Sequence, residues 1–446
     1  MFGKERCEAI LKDVLLRLKA ADEAQVTVFS SEAGLTRFAC NYIHQNTFER
    51  DGKVMVRVVL GKRIGHASTN RVDEEGLNRL VERAFQIAKL SEEDPDFGGL
   101  PEPQSVSLID SFRLSTERYT PEKKALAIGE LIKKAKSKGF VASGAFETGL
   151  REIGIANSKG VFLYHPVTVA DFSTVVMSDD SSGFANRSSI DVHDLDVPSL
   201  AQRAIEKTEL SRHPIEVSPG DYPVVLEENA VETLVSFLGF IGFNGMAVRE
   251  GRSFLVENQG SQVANPSINI WDNGSDRRGL VRPFDFEGVP KQRVELISKG
   301  VAVGAVWDSY NSRLAKVKNT GHALPSTSSY GPVPLNMFMG AGDCPKSDLA
   351  KGIKRGIWVT RFHYTNLLHQ KKTLITGMTR DGTFLIENGV ITRGVKNFRF
   401  TNSILSALNN VEALSTEATS FIDSWGSICV PAARLSSFTF SGKTDF

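Results

Sequence analysis

The chain has 446 residues, 41% of them hydrophobic and 24% charged, a globular composition long enough for two to four domains. Its 53 lysines and arginines nearly cancel its 52 aspartates and glutamates, so it offers no bulk attraction to a polyanion. That argues against nucleic acid and anionic membranes as main partners.

The N-terminal stretch MFGKERCEAILKDVLLRLKAAD interrupts its apolar residues with charge every few positions. It reads as an amphipathic helix with Cys7, Ile10, Leu11, Val14, Leu15 and Leu18 on one face, and not as a secretory signal. Nowhere do the roughly 18 apolar residues of a membrane span run together, and a soluble, cytoplasmic protein is expected. Cys7, Cys40, Cys344 and Cys429 form no CxxC pair and are too scattered for a disulfide framework, so reduced thiols are expected.

Strand-like runs follow, AQVTVFSS, LTRFACNYIHQNTFER and VMVRVVLGKRIGHAS. Asp51–Gly52 between the last two predicts a tight hairpin. A second amphipathic helix covers about 73–91, and EEDPDFGGLPEPQ has the prolines, glycines and acids of a linker. Residues 1–104 thus read as an N-terminal α/β domain with an antiparallel sheet.

A helix opening at Thr120 shows a threonine cap, a proline in its first turn, late lysines and a closing glycine. Strands through FVASGAFETG and REIGIANSKGVFLYHPVTVADFSTVVMS, turned at Ser158–Gly160, and the helix VPSLAQRAIEKTELSR complete a middle α+β domain, 105–212. After the linker HPIEVSPGDYP, residues 213–446 carry many short strands. Asp381–Gly382 and Asn388–Gly389 predict two turns of a meander. No internal repeat is evident. The fold class read here is α+β: N-terminal α/β units with an antiparallel sheet, then a β-rich C-terminal domain around a buried helix. That helix lies in VVLEENAVETLVSFLGFIGF (224–243), apolar almost all round, with Asn229 as its expected cap. Gly239, Gly242 and Gly245 would let neighbouring elements approach it closely.

Few residues carry the spacing of a known catalytic or metal-binding motif. The eight histidines, His44, His66, His165, His193, His213, His322, His363 and His369, include no pair at the one-turn spacing of a helical zinc site. Surface or hydrogen-bonded roles fit them best. DVHDLD around His193 reads as a helix cap, no GxSxG elbow is present, and the final SGKT lacks the first glycine and the following helix of a phosphate loop.

Taken together, SPGDYPVVLEENAVETLVSFLGFIGFNGMAVREGRSFL, GSQVANPSINIWDNG, NTGHALP and TGMTRDGTFLIENGVITRGVKNFRFTNSI resemble the TldD/PmbA peptidase family, and within it the PmbA (TldE) branch. The resemblance covers most of the chain and is strongest after residue 217. It implies two soluble subunit types that share a fold and pair into a ring-like heterodimer, which degrades unfolded or short peptides and matures some peptide precursors. The TldD-like partner would hold zinc on a His-Glu-x-x-x-His helix, with a cysteine near its C-terminus. Laid on this sequence, that motif puts Ser236 and Phe237 at the first His-Glu and Ile241 at the second histidine. The C-terminal ligand position falls near Asp423, leaving Cys429 out of register. The resemblance therefore implies a subunit without a metal site or cofactor of its own, with the zinc in its partner.

Asn366, Thr379, Arg380 and Asp381 would lie near the peptide chamber, or else be turn and strand-end residues that touch no ligand. Rival readings are a self-sufficient hydrolase gathering His322, His363 and Asp381, and a non-catalytic scaffold, since older family naming refers to DNA gyrase. A homodimer formed without the partner is also expected as an option.

Overall fold

A computed structural model describes residues 2–423 and 425–444. The first stretch holds α1 (Gly3–Arg17), β1 (Glu23–Ala39), β2 (Tyr42–Leu60), β3 (Arg63–Thr69) and α2 (Glu74–Leu90). A single helical turn, α3 (Leu114–Glu117), precedes α4 (Pro121–Ser137), β4 (Val141–Asn157), β5 (Phe162–Met177), β6 (Ser182–Ser189) and α5 (Val197–Leu210). Residues 1–104 and 105–212 supply three strands each to one sheet, ordered β3-β2-β1-β4-β5-β6 and antiparallel throughout.

This sheet holds a repeat that the sequence hides. An α-β-β-β-α unit occurs twice, and the two units meet at β1 and β4, each 17 residues long, about a local two-fold. The pairs Val26↔Ala156 and Phe38↔Gly144 are equivalent under it. So are two glycines on the outer strands: a Cβ on Gly65 would lie 2.1 Å from the Ala84 carbonyl of α2, and one on Gly183 would lie 2.1 Å from the Ala204 carbonyl of α5.

Side chains alternate across the sheet as the pleat requires. Val26, Val28, Val54 and Val56 pack with α1 and α2, while Phe38, Phe146 and Phe172 pack with α4 and α5. The opposite face meets the C-terminal domain, where Ile153 and Ile155 pack on Phe284 and Phe286, and Gln25 Nε2 donates to the Phe286 carbonyl (2.8 Å). The helix ends follow their caps: Asp73 accepts from Gly76 N–H, Thr120 from Lys123 and Asp196 from Ser199.

Two predicted turns are corrected. Asp51 and Gly52 lie inside β2, paired with Ser31 and Ser30, and the chain reverses at Cys40–Asn41, whose φ values of 50° and 62° both lie in the left-handed region. Asp381 and Gly382 form a bulge inside the strand Leu374–Glu387, not its end, where that strand carries an extra residue opposite Val359–Arg361. The Asn388–Gly389 turn occurs as expected, joining the paired Glu387 and Val390.

The C-terminal domain runs β7 (Gly220–Leu226), α6 (Glu228–Gly242), α7 (Gly245–Arg249), α8 (Leu255–Asn258), β8 (Ile270–Asp272), β9 (Val294–Ser298), β10 (Val301–Ala302), α9 (Ser309–Ala315) and β11 (Asn336–Met339). It continues through β12 (Arg355–His369), β13 (Leu374–Glu387), β14 (Val390–Gly394), β15 (Phe398–Ser403), α10 (Ile404–Asn409), β16 (Val411–Ile422) and β17 (Ser427–Lys443). Because β17 pairs with β7 as well as β15, the strands β7-β12-β13-β15-β17 close into a ring. Phe362, Phe398, Phe400, Phe438 and Phe440 form its aromatic cluster, with Phe362–Phe400 centroids 4.4 Å apart. Among the described residues no helix is long and apolar enough to cross a membrane.

Candidate functional site

Helix α6 packs on β12 and β17, with Ala230, Val231, Leu234, Val235, Leu238 and Ile241 in the domain core. Its glycines do what their spacing implied. A Cβ on Gly239 would sit 2.4 Å from Met337, and one on Gly242 would sit 2.5 Å from the Phe254 ring. The N-cap is Glu227 and not Asn229, and its carboxylate caps nothing because it is taken elsewhere. It accepts from Lys207 Nζ (2.7 Å) and Trp358 Nε1 (2.8 Å), while Lys346 Nζ bonds the adjacent Glu228 (2.6 Å).

The one face of α6 not sealed into the core carries Ser236 and the half-exposed Phe240. These two open onto a cavity of about 340 Å³ walled by Tyr330, Leu335, Met337, Asp423 and Trp425. Ser236 and Asp423, on which the resemblance laid the first histidine and the C-terminal ligand, therefore share one hollow. Phe237 packs against the core and Ile241 lies within it, 2% exposed. One turn before Ser236, burial raises the Glu232 carboxyl to about 7, helped by the charge of Asp423.

Behind the cavity stands a fully buried polar wall. Asp272 Oδ1 accepts from His322 Nε2 (2.9 Å) and Lys291 Nζ (3.1 Å), and Asp272 Oδ2 accepts from Asn336 N–H (2.7 Å). Lys291 also donates to Asn336 Oδ1 (3.0 Å), and Ser427 Oγ accepts from Leu280 N–H (2.8 Å). Burial opposes ionisation of Asp272, but Lys291 and His322 hold it at about 2, while burial and Lys291 push His322 down towards its neutral form. Both oxygens of Asp272 are thus engaged by groups within the protein.

The other expected site residues lie elsewhere. Asn366 is exposed on β12, its Nδ2 bonded to the Tyr364 carbonyl (2.9 Å). Thr379 is buried and accepts from Phe398 N–H (3.0 Å). Asp381 accepts from Arg361 Nε (2.7 Å), with Arg380 4.0 Å away, and lines a separate cavity with Ser182 and Asn397. His322 is bound to Asp272, His363 meets Tyr364 edge to face, and neither lines the cavity that Asp381 lines. Cys429 is buried on β17, its thiol raised by burial. Among the described residues no three His, Cys, Asp or Glu side chains converge to hold a metal ion. Sequence reasoning missed Glu232, whose four-residue spacing before Ser236 was the available signal, and Trp425.

Three family models match: PmbA/TldA metallopeptidase domain 1 over residues 30–88, the central domain over 115–212 and the C-terminal domain over 219–442. The chain is 25% identical over 403 residues to a metalloprotease TldD homolog of Haemophilus influenzae, covering 84% of this chain and 82% of that one. It is also 25% identical over 439 residues to a metalloprotease PmbA homolog of the same organism, covering 93% and 92%. The fold matches TldE from Thermococcus kodakarensis with a TM-score of 0.88 at 20% identity, over 97% of this chain and all of that one. A likeness at that identity speaks to the fold alone.

Proposed function

The chain belongs to the PmbA/TldD metallopeptidase family, and we propose that it serves there as a PmbA/TldE-like subunit without a metal site of its own, supporting peptide cleavage at the zinc of a TldD-like partner. One observation carries this reading. At the three positions of α6 where the family motif would supply two imidazoles and a carboxylate, the chain has a hydroxyl, a phenyl ring and a branched alkyl group, the last sealed in the core.

These groups do not fit a zinc ion, which takes imidazole, thiolate or carboxylate ligands in a tetrahedral set. The acids nearest Ser236, Glu232 and Asp423, supply oxygen alone, and Glu232 holds its proton to about pH 7. No hydrolytic step is assigned to them. What the chain offers instead is an apolar hollow walled by Phe240, Tyr330, Leu335 and Met337, suited to holding side chains of an extended peptide with little sequence preference. The proposed setting is a cytoplasmic heterodimer acting on unfolded or short peptides.

The test is to purify the chain alone and together with a TldD-like partner, then measure bound zinc and hydrolysis of an unfolded substrate such as casein. Turnover is expected only in the pair. Stoichiometric zinc with turnover in the lone chain overturns the proposal.

A further inference from the structure

Across Trp425 and the strip Pro325–Thr327 from the α6 cavity lies a second hollow, of about 370 Å³, between the helix-free face of the six-stranded sheet and the C-terminal domain. Its apolar lining comes from Phe29, Met55, Phe286 and Trp425. That volume suits one large side chain and its attached polar group.

Two arginines line this hollow, and the carboxylates that favour their charge, Glu147 and Asp423 among them, act at a distance and not through an ion pair. Arg282 Nη1 is buried with no hydrogen-bond partner, and the guanidinium lies over the Phe286 ring, 4.7 Å from its centroid. Among the described residues no carboxylate comes within ion-pair distance of it. Arg151, on β4, donates Nη1 to the Asp423 carbonyl (2.7 Å), a neutral acceptor. Burial, and then the like charge of Arg151, lower the proton affinity of Arg282 to about 10. A guanidinium so enclosed is unfavourable unless its donors are met, and its planar fork matches a carboxylate. The lining sets Arg151, Arg282 and Lys53 against Glu32 and Glu147, an excess of one positive charge that suits a monoanion better than a dianion such as phosphate.

We propose that this hollow binds a carboxylate of a peptide on Arg282 and Arg151, with an apolar side chain of the same peptide against Phe29, Met55 and Trp425. The choice of a peptide rests on the function proposed above; the carboxylate site does not. A free C-terminus and an acidic side chain share the required chemistry, and the test separates them.

Trp425 lines the hollow and is one of four tryptophans, so its emission, identified by difference from Trp425→Phe, reports occupancy. The probes are 3-phenylpropionate, a short alanine–glycine peptide ending in phenylalanine as free acid and as amide, and the amide with one internal aspartate. The free acid should bind at least about ten-fold more tightly than the plain amide, and Arg282→Gln should erase that preference. Arg151→Gln, expected to do the same, carries the test if the Arg282 variant fails to fold by thermal melt. Tight binding of the aspartate-bearing amide assigns the site to acidic side chains, and weak binding assigns it to C-termini; both uphold it. Equal binding of acid and amide sinks the site while leaving the peptide function standing. Arg282-dependent binding of 3-phenylpropionate with no peptide bound upholds the site and sinks the peptide function. Calorimetric silence with both 3-phenylpropionate and the free acid overturns the proposal.

Discussion

Glu227 Oε2 and Lys207 Nζ lie 2.7 Å apart with both side chains nearly enclosed, joining the N-cap of α6 to the last turns of α5. The ion pair fastens the six-stranded sheet unit to the domain that holds the cavity.

Burial alone would raise the Glu227 carboxyl, but Lys207 and Lys346 outweigh it and hold it below the usual carboxylate range. A depressed folded pKa stabilises above the unfolded value near 4.5 and loses that contribution as pH falls through the folded one. Glu227→Gln leaves Lys207 buried and unpaired, so urea unfolding at pH 7 should show a loss of about 3–5 kcal/mol. The loss should shrink at pH 3, and Lys207→Met with Glu227→Gln should recover part of it.

Glu232 runs the other way. Its carboxyl is raised to about 7 by burial and by Asp423, so its contribution is intact below the unfolded value near 4.5 and erodes as pH rises to 7. Glu232→Gln should therefore stabilise at pH 8 by up to about 3 kcal/mol and change little at pH 4. Equal melting shifts at both pH values would show that the side chain is not held neutral.

Restoring the family motif by substitution should fail in a particular way. Ser236→His faces a cavity and should be tolerated, whereas Ile241→His puts an imidazole among core side chains and should cost roughly 2–5 kcal/mol. Tight zinc binding by the combined Ser236→His, Phe237→Glu, Ile241→His variant, measured by metal analysis after dialysis, would contradict this.

The local two-fold makes a paired prediction. Gly65→Ala and Gly183→Ala each drive a methyl into a helix carbonyl at the same distance, and each should destabilise by about 1–3 kcal/mol. Strongly unequal losses in denaturant titration would mean that the two helices do not seat alike.

The longer helices and the largely apolar character of α6 were legible because amphipathic period and capping are local properties. The turns were less so. Asp51–Gly52 and Asp381–Gly382 carry hairpin chemistry, yet a strand's pairing partners absorb the first and a bulge absorbs the second, while the true reversal at Cys40–Asn41 has no glycine. The repeat escaped notice because it survives in strand length and register and in small residues under helices, not in recurring side chains. For the site, the family motif laid on α6 pointed to Ser236, which lines the cavity, but Arg151, Arg282 and Trp425 come together from distant segments that no spacing rule connects.

Because β1 meets β4 edge to edge across a local two-fold, the sheet has no natural seam between its halves. A protein truncated after residue 104 would bare the inner edge of β1, a 17-residue ladder of unmet amides and carbonyls. The geometry that welcomes β4 would welcome another β1 equally well, so such a fragment should emerge as a self-mated dimer or an aggregate rather than as a free-standing module.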